Sequence, residues 1–528
     1  MGRCDYHPVG ERKIATCITA TEVMSAPGRS MSSEPTILDE HGHFWWRDEN
    51  IPREQFAPDA HMTGRLTIAQ DGAARLVLDG SLHSGKHPFE TIFSNRQERQ
   101  KIRSIQGITK ETGKHVLLLD AVGNGGAFHS NRFSYERYFS TLTLVGTEEF
   151  PRDKNVPVYS RAEVDLTGFS EWFGPGGLSV RRTTRTVSAS GKSRCCFEFK
   201  TPFGKLALMR SIEPGESGGV WPSEAILRQR WSLAMKSQKP IASDVVRDNV
   251  HSIQDLMILL TDSHYSVGWP IVRLARHRNS YTLYFRRGTS SASPPRRYDL
   301  PTYFPSIQER FGELFSAWIM KREQYGSGFH NYVSTRRDVT MYVESRFFSL
   351  ISGLESFHRT KFEGRPPNAS VQAKVDRILK QIARSGDRRW VENALKVAGG
   401  PSLEQRLVEL ILGLPFGFER ERVKEFAVTC QKIRNDLAHY GGQRGRVEGA
   451  GYLKKINAYG DALAFLYHML LLREIGLDEN SVLQILENSV KSVRYKTTLV
   501  IVGVLPKESI GDSRSSESGV VNADGATM

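Results

Sequence analysis

The sequence predicts an α+β multidomain chain: a β-rich, antiparallel N-terminal region of sandwich or barrel type, followed by an all-α helical bundle. Three observations predict it. At 528 residues the chain exceeds what one simple core holds, so two or more domains are expected. Up to about residue 300 the apolar residues fall in short runs, several alternating with period two, whereas beyond it they recur at three- and four-residue spacing. Between the two regimes lies GTSSASPPRRYDLP, residues 288–301, whose Ser and Pro clusters cannot pack a core and so read as a linker.

Residues 1–35 carry scattered charge and no continuous apolar stretch, so they are expected to be a disordered leader rather than a secretory signal, with Met31 as an alternative start. Within 36–300, ARLVLDGSL, HVLLLDAV, YFSTLTLVG, AEVDLTGF, LSVRRTTRTVSA, RCCFEFKT and YTLYFRR are short and rich in β-branched or aromatic residues. The DG at 71–72, the GNGG at 123–126 and the SGKS at 190–193 are read as turns. DVVRDNVHSIQDLMILL, 244–260, is the one helical insertion expected there. Many short strands with few helices between them argue against a doubly wound sheet. Residues 301–335 are expected to form a helical connector, 336–500 an all-α domain, and 501–528 a solvated, disordered tail.

The formal charge of +14 points toward anionic partners, nucleic acid or a membrane surface. The five cysteines are odd in number and irregularly spaced, a reduced, cytoplasmic pattern, and the absence of any C-x-x-C pair removes the common zinc modules. No run of eighteen apolar residues occurs, so no membrane span is expected.

The stretch IRNDLAHYGG, 433–442, concentrates chemistry. On a helix, Val423, Phe426, Ala427, Cys430, Ile433 and Leu437 form one apolar arc, with Arg434 inside it. Asn435 and His439 stand one turn apart on a neighbouring flank. Gly441 and Gly442 then stop the helix and leave His439 in its last turn, where the dipole favours imidazolium. An arginine on an apolar arc needs a carboxylate, and the first bundle helix offers Glu355, with Glu344 second. His358, three residues after Glu355, is expected as a satisfied core histidine able to orient that pair.

Arg434, Asn435 and His439 at a helix end in an all-α C-terminal bundle resemble the R-x4–6-H signature of HEPN-domain ribonucleases, and Arg434–His439 is the one Arg–His pair at that spacing in the chain. A β-rich region, a linker and a terminal bundle, in that order, resemble the anti-phage ApeA-type HEPN proteins. FWWRDEN, MTGRLTI followed by ARLVLDGSL, and the FFSLISGLESFHR helix add to the likeness. The resemblance implies a HEPN endoribonuclease acting in abortive infection. It implies two protomers paired so that each contributes a His439 to one cleft, one as base and one as acid. RNA carries its own nucleophile, the 2′-OH, so no metal and no cofactor is expected, and the products are a 2′,3′-cyclic phosphate and a 5′-OH. Arginine offers phosphate a planar fork, and histidine transfers protons near neutral pH. Lys432, Arg444 and Arg446 are candidates for drawing in the RNA backbone, and Tyr440 for stacking on a base. The N-terminal region is expected to restrain the site until a phage-derived trigger arrives.

Other motifs are weaker. HSGKH (His83, His87) reads as a surface loop because of its Gly and Pro, and His41 with His43 lacks a third ligand. DAVGNGG matches no phosphate-binding loop and reads as a hairpin turn, and the GKS at 191–193 lacks its leading glycine. Trp45, Trp46, Trp172, Phe173 and Trp221 read as core or inter-domain anchors. Two other functions fit the same sequence: a non-catalytic RNA- or nucleotide-binding and dimerisation module, and a carbohydrate-binding β-sandwich with a structural helical tail.

Overall fold

The computed structural model describes residues 36–82, 103–127, 134–152, 156–174, 176–192, 194–215, 226–288, 290, 292–337, 341–365, 369–398, 400–440 and 449–510. The leader, most of the tail, His83, His87 and Trp221 fall outside these residues.

Six strands close a barrel: β1 (Thr36–Trp46), β2 (Met62–Ala69), β3 (Ala74–Leu78), β4 (Arg103–Thr109), β5 (His115–Ala127) and β6 (Tyr135–Ser140). They pair antiparallel in the order β5–β4–β1–β2–β3–β6, and β6 returns to pair with β5. The alternation that predicted strands fills the barrel: Phe44, Leu66, Ile68, Leu76, Leu78, Ile105, Val116 and Leu118 point inward and are fully buried. The DG turn is present between β2 and β3, with Gly72 at φ +81°, a conformation glycine adopts without strain.

The GNGG at 123–126 is not a hairpin turn. Strand β5 runs through it to Ala127, and the extra residues form a bulge where the register against β6 shifts between Gly123 and Gly126. β5 must bend there because its first half pairs with β7 and its second half with β6.

From β5 the sheet continues outward in the order β7–β15–β14–β8–β13–β12–β11. These strands are β7 (Leu142–Gly146), β8 (Tyr159–Asp165), β11 (Arg194–Thr201), β12 (Gly204–Pro214), β13 (Leu227–Ile241), β14 (Ile271–Leu274) and β15 (Ser280–Phe285). β9 (Leu178–Arg182) and β10 (Val187–Gly191) form a separate two-stranded hairpin. The barrel with extra strands is thus the β-rich antiparallel region the sequence predicts. Trp45, Trp46, Trp172 and Phe173 are buried, as expected of core anchors.

The expected insertion is helix α1 (Ser243–Thr261), which buries Val246, Val250, Ile253, Leu256 and Leu260. The C-terminal helices are α2 (Phe311–Tyr325), α3 (Ser327–Ser334), α4 (Val343–Lys361), α5 (Ala369–Lys380), α6 (Ser385–Ala398), α7 (Leu403–Leu412), α8 (Arg420–Tyr440), α9 (Gly449–Glu474), α10 (Glu479–Glu487) and α11 (Ser492–Ile501). Beyond α11, Val502 and Val504 are also buried, so packed chain continues into the stretch expected as tail.

One apolar core runs from β8, β14 and β15 through α1 and α2 into α4, α7, α8 and α9. The acidic groups buried in this seam are paired, as their desolvation requires. Trp318 Nε1 of α2 donates to the Ser252 carbonyl of α1 (2.9 Å), and Asp255 of α1 accepts from Arg322 (3.0 Å) and from Arg337. Asp262, in the left-handed conformation (φ 51°) that ends α1, accepts from Arg336, from Lys491 (3.2 Å) and from Tyr495 (3.4 Å), next to the imidazole of His468. Burial opposes ionisation of Asp262, but Arg336, His468 and Lys491 together hold its pKa far below the usual carboxylate range. His468 donates Nε2–H to the Leu259 carbonyl (2.6 Å). The β region and the bundle are therefore joined by a packed, charge-paired interface.

Candidate functional site

Helix α8 forms for the reason its pattern suggests. Val423, Phe426, Ala427, Cys430 and Ile433 are buried, and Leu437 packs at the edge of the same core. Phe426 lies flat against Tyr459 of α9 (centroids 5.3 Å, interplanar angle 5°), which fixes the two helices side by side. Burial pushes the Cys430 thiol up, so this cysteine is a packing residue.

Arg434 is partly buried, as its place on the arc requires, but it makes no ion pair among the described residues. Its Nη1 donates to Asn435 Oδ1 at 3.2 Å. That bond commits the Asn435 carbonyl oxygen and leaves its NH2 as a donor. Lys432 is exposed. His439 and Tyr440 are the last two residues of α8, with the backbone alone described, and Arg444, Arg446 and the two glycines lie outside the described residues.

Glu355 does not hold Arg434. Its Oε1 accepts from Arg359 one turn on (2.6 Å) and from Arg406 of α7 (3.1 Å). The reason is longitudinal. The C-terminal end of α8 lies beside the N-terminal end of α4, and Glu355 sits eleven residues further along α4, about 16 Å away at 1.5 Å per residue. Glu344, in the first turn of α4, is at the right end, partly buried, but no cation pairs with it among the described residues. The buried side of α4 is Phe347, Leu350, Ile351, Leu354, Phe357 and His358, while Phe348 is 40% exposed.

His358 is the satisfied core histidine it was expected to be. It is buried, with Nε2 3.0 Å from Glu409 Oε2 of α7, and burial pushes its pKa down against the pull of Glu409. Glu409 also binds Arg365, so His358 belongs to a polar cluster on α7 and orients no Glu355–Arg434 pair. The cleft beside that cluster, about 730 Å³ and lined by Arg365, Glu409, Arg420 and Lys424, lies at the first turn of α8, the opposite end from His439.

One member of the motif's surroundings escapes sequence reasoning. Tyr452, in the first turn of α9, carries a buried hydroxyl with no hydrogen-bond partner among the described residues. Burial raises its pKa, and the negative charges of Asp436 and Glu344 raise it further. Three helix ends therefore meet beside the motif: α4 with Glu344, α8 with Arg434, Asn435 and Asp436, and α9 with Tyr452. No periodicity in GYLKKINAYG distinguishes Tyr452 from an ordinary helix tyrosine; only the crossing of α8 and α9 does. Among the described residues no group of three or more His, Cys, Asp or Glu is gathered as metal ligands would be, and no helix is long and apolar enough to cross a membrane.

The family model described as ApeA N-terminal domain 1 matches residues 40–318, a little over half of the 528. The chain belongs to the ApeA family. The Apea-like HEPN model matches residues 348–481, which contain α4 from its second turn and α7, α8 and α9. The ApeA resemblance and the division into a β-barrel with extra strands and a HEPN helical region thus agree with the sequence reading. No curated protein and no solved structure matches the chain. In this ApeA-family chain the Arg434–Asn435–His439 motif lies inside the HEPN match, on the helix that packs against α9.

Proposed function

We propose that this protein is a metal-independent HEPN endoribonuclease of ApeA-type anti-phage defence, acting in the cytoplasm by abortive infection. The observation that carries the reading is the motif Arg434–Asn435–x3–His439 at the end of α8, within residues matched by the HEPN model.

The chemistry follows from the residue types. His439 takes the 2′-OH proton, and the oxygen attacks the adjacent phosphorus to close a 2′,3′-cyclic phosphate. His439 of a second protomer protonates the departing 5′ oxygen, so the working unit is a homodimer through the HEPN domain. Among the described residues no carboxylate neutralises Arg434, so its guanidinium supplies positive field and hydrogen bonds to the crowded phosphorane. Its bond to Asn435 Oδ1 leaves the Asn435 NH2 as a second donor for a phosphate oxygen. Lys432, Arg444 and Arg446 attract the RNA backbone.

The β region restrains the site until a phage-derived trigger binds it. The continuous core and the buried charge pairs of the seam support this, because a change in the β region reaches the bundle without crossing a flexible joint. Wild type released from the restraint by extract of phage-infected cells, and then incubated with cellular RNA in EDTA, is expected to give fragments ending in 2′,3′-cyclic phosphate, and His439→Ala and Arg434→Ala treated alike are expected to give none while still binding RNA. Equal cleavage by all three proteins, or abolition by EDTA, contradicts the reading.

A further inference from the structure

The hairpin β9–β10 has no role in the site above. All ten of its strand residues are exposed, and it joins no other sheet. An isolated two-stranded hairpin is marginal in water, so its shape needs local support. The support is at its two ends. At the tip, Thr183 N donates to the Thr186 carbonyl (2.8 Å) and Thr186 N to Thr183 Oγ1 (2.9 Å). At the root, Gly177 N donates to Gln229 Oε1 of β13 (2.8 Å), and Gly191 sits so close to Ile212 of β12 that a Cβ would come within 2.1 Å of it. The arm between is held at both ends and projects about 15 Å at 3.3 Å per residue.

Its chemistry is one-sided. The stretch LSVRRTTRTVSASGK, 178–192, holds Arg181, Arg182, Arg185 and Lys192 and no acidic residue. None of these four cations forms an ion pair among the described residues, whereas Arg65, Arg103, Arg161 and Arg230 elsewhere in the β region each have a carboxylate. The register places Ser179 and Arg181 across from Ser190 and Ser188, so one face presents only hydroxyls and a guanidinium. These are the groups that contact phosphate and sugar. The hairpin contains no aromatic residue, which protein-binding hot spots favour.

We infer that the β9–β10 hairpin is an RNA-binding arm that grips the phosphodiester backbone through Arg181, Arg182 and Arg185. It rests on the ribonuclease reading only for the choice of RNA as the nucleic acid. The arm adds affinity without sequence preference, because backbone contacts carry none.

The test uses the full-length protein carrying His439→Ala, so that cleavage does not interfere, and a 5′-labelled single-stranded RNA of thirty nucleotides. Fluorescence anisotropy is measured from 50 to 300 mM NaCl. Combining Arg181→Ser, Arg182→Ser and Arg185→Ser is expected to weaken binding about tenfold and to reduce the slope of log K against log salt by about 2, since each phosphate contact on a single strand contributes about 0.7. The three Arg→Lys changes are expected to keep most of the slope. Melting temperature is expected to be unchanged, since the altered side chains are exposed and unpaired. Unchanged affinity and slope in the serine variant overturn the inference. So does displacement of the RNA by polyglutamate of equal charge as effectively as by RNA itself, whereas single-stranded DNA of the same sequence, which carries the same phosphodiester backbone, is expected to compete. If wild type proves unable to cleave RNA, the binding result still decides this inference on its own.

Discussion

Replacing Asp262 with asparagine tests whether the β region and the bundle act as one body. The side chain is 12% exposed, and Arg336 and Lys491, which it neutralises, are 19% and 21% exposed. Asparagine keeps the left-handed backbone at φ 51° at little cost and removes only the charge. Breaking a buried charge pair by removing one partner costs about 3–5 kcal/mol, because the other charge stays buried and unpaired. Asparagine still accepts one hydrogen bond, so the expected loss is at the low end, about 3 kcal/mol. With about 2.1 cal/mol/K of unfolding entropy per residue, a cooperative unit of roughly 450 residues loses about 3 °C for that free energy. Calorimetry is expected to show one main transition in the wild type, shifted down by about 3 °C in Asp262→Asn. A shift below 1 °C, or separate melting of β region and bundle in the wild type, refutes the account of the seam.

Three further outcomes are expected. Glu355→Gln disturbs Arg359 and Arg406 and lowers stability by about 1–2 kcal/mol, but leaves RNA cleavage intact; loss of cleavage matching Arg434→Ala would restore the Glu355–Arg434 pair. Tyr452→Phe removes a buried hydroxyl that has no partner among the described residues, so stability is expected to be unchanged or to rise by up to about 1 kcal/mol, and destabilisation beyond 1 kcal/mol in urea titration would reveal a bond to that hydroxyl. Burial holds His43, His115, His251, His330, His358 and His468 below the ordinary imidazole value, so between pH 7 and 5 the unfolded chain binds more protons than the folded one. Stability therefore falls as pH drops through about 6.5, and a urea midpoint flat from pH 7 to 5 would contradict this burial.

Alternation and helical spacing were enough to read the two fold regimes, the helix now seen as α1, the DG turn at Gly72 and the buried arc of α8. Each of these depends on neighbours within a few residues. Closure of the barrel was not legible, because it depends on β6 meeting both β3 and β5. The glycines of 123–126 carry the composition of a turn, yet they serve a bulge that lets β5 change partners. At the site, a helical wheel placed Arg434 and the buried residues of α8 but could not show which end of α4 they face. That missing axial position led to Glu355, which pairs with Arg359 and Arg406 instead, and it hid Tyr452.

The central claim is that the motif on α8 cleaves RNA. Its most direct test compares full-length wild type and His439→Ala on one labelled RNA in EDTA, each released by extract of phage-infected cells, reading both cleavage and binding. The account predicts fragments with 2′,3′-cyclic phosphate ends from wild type, at least a hundredfold loss of cleavage in His439→Ala given the usual worth of a positioned acid–base group (about 10²–10⁴), and unchanged RNA affinity. Cleavage by the variant at the wild-type rate, or none by either protein in extract of phage-infected cells, would contradict it.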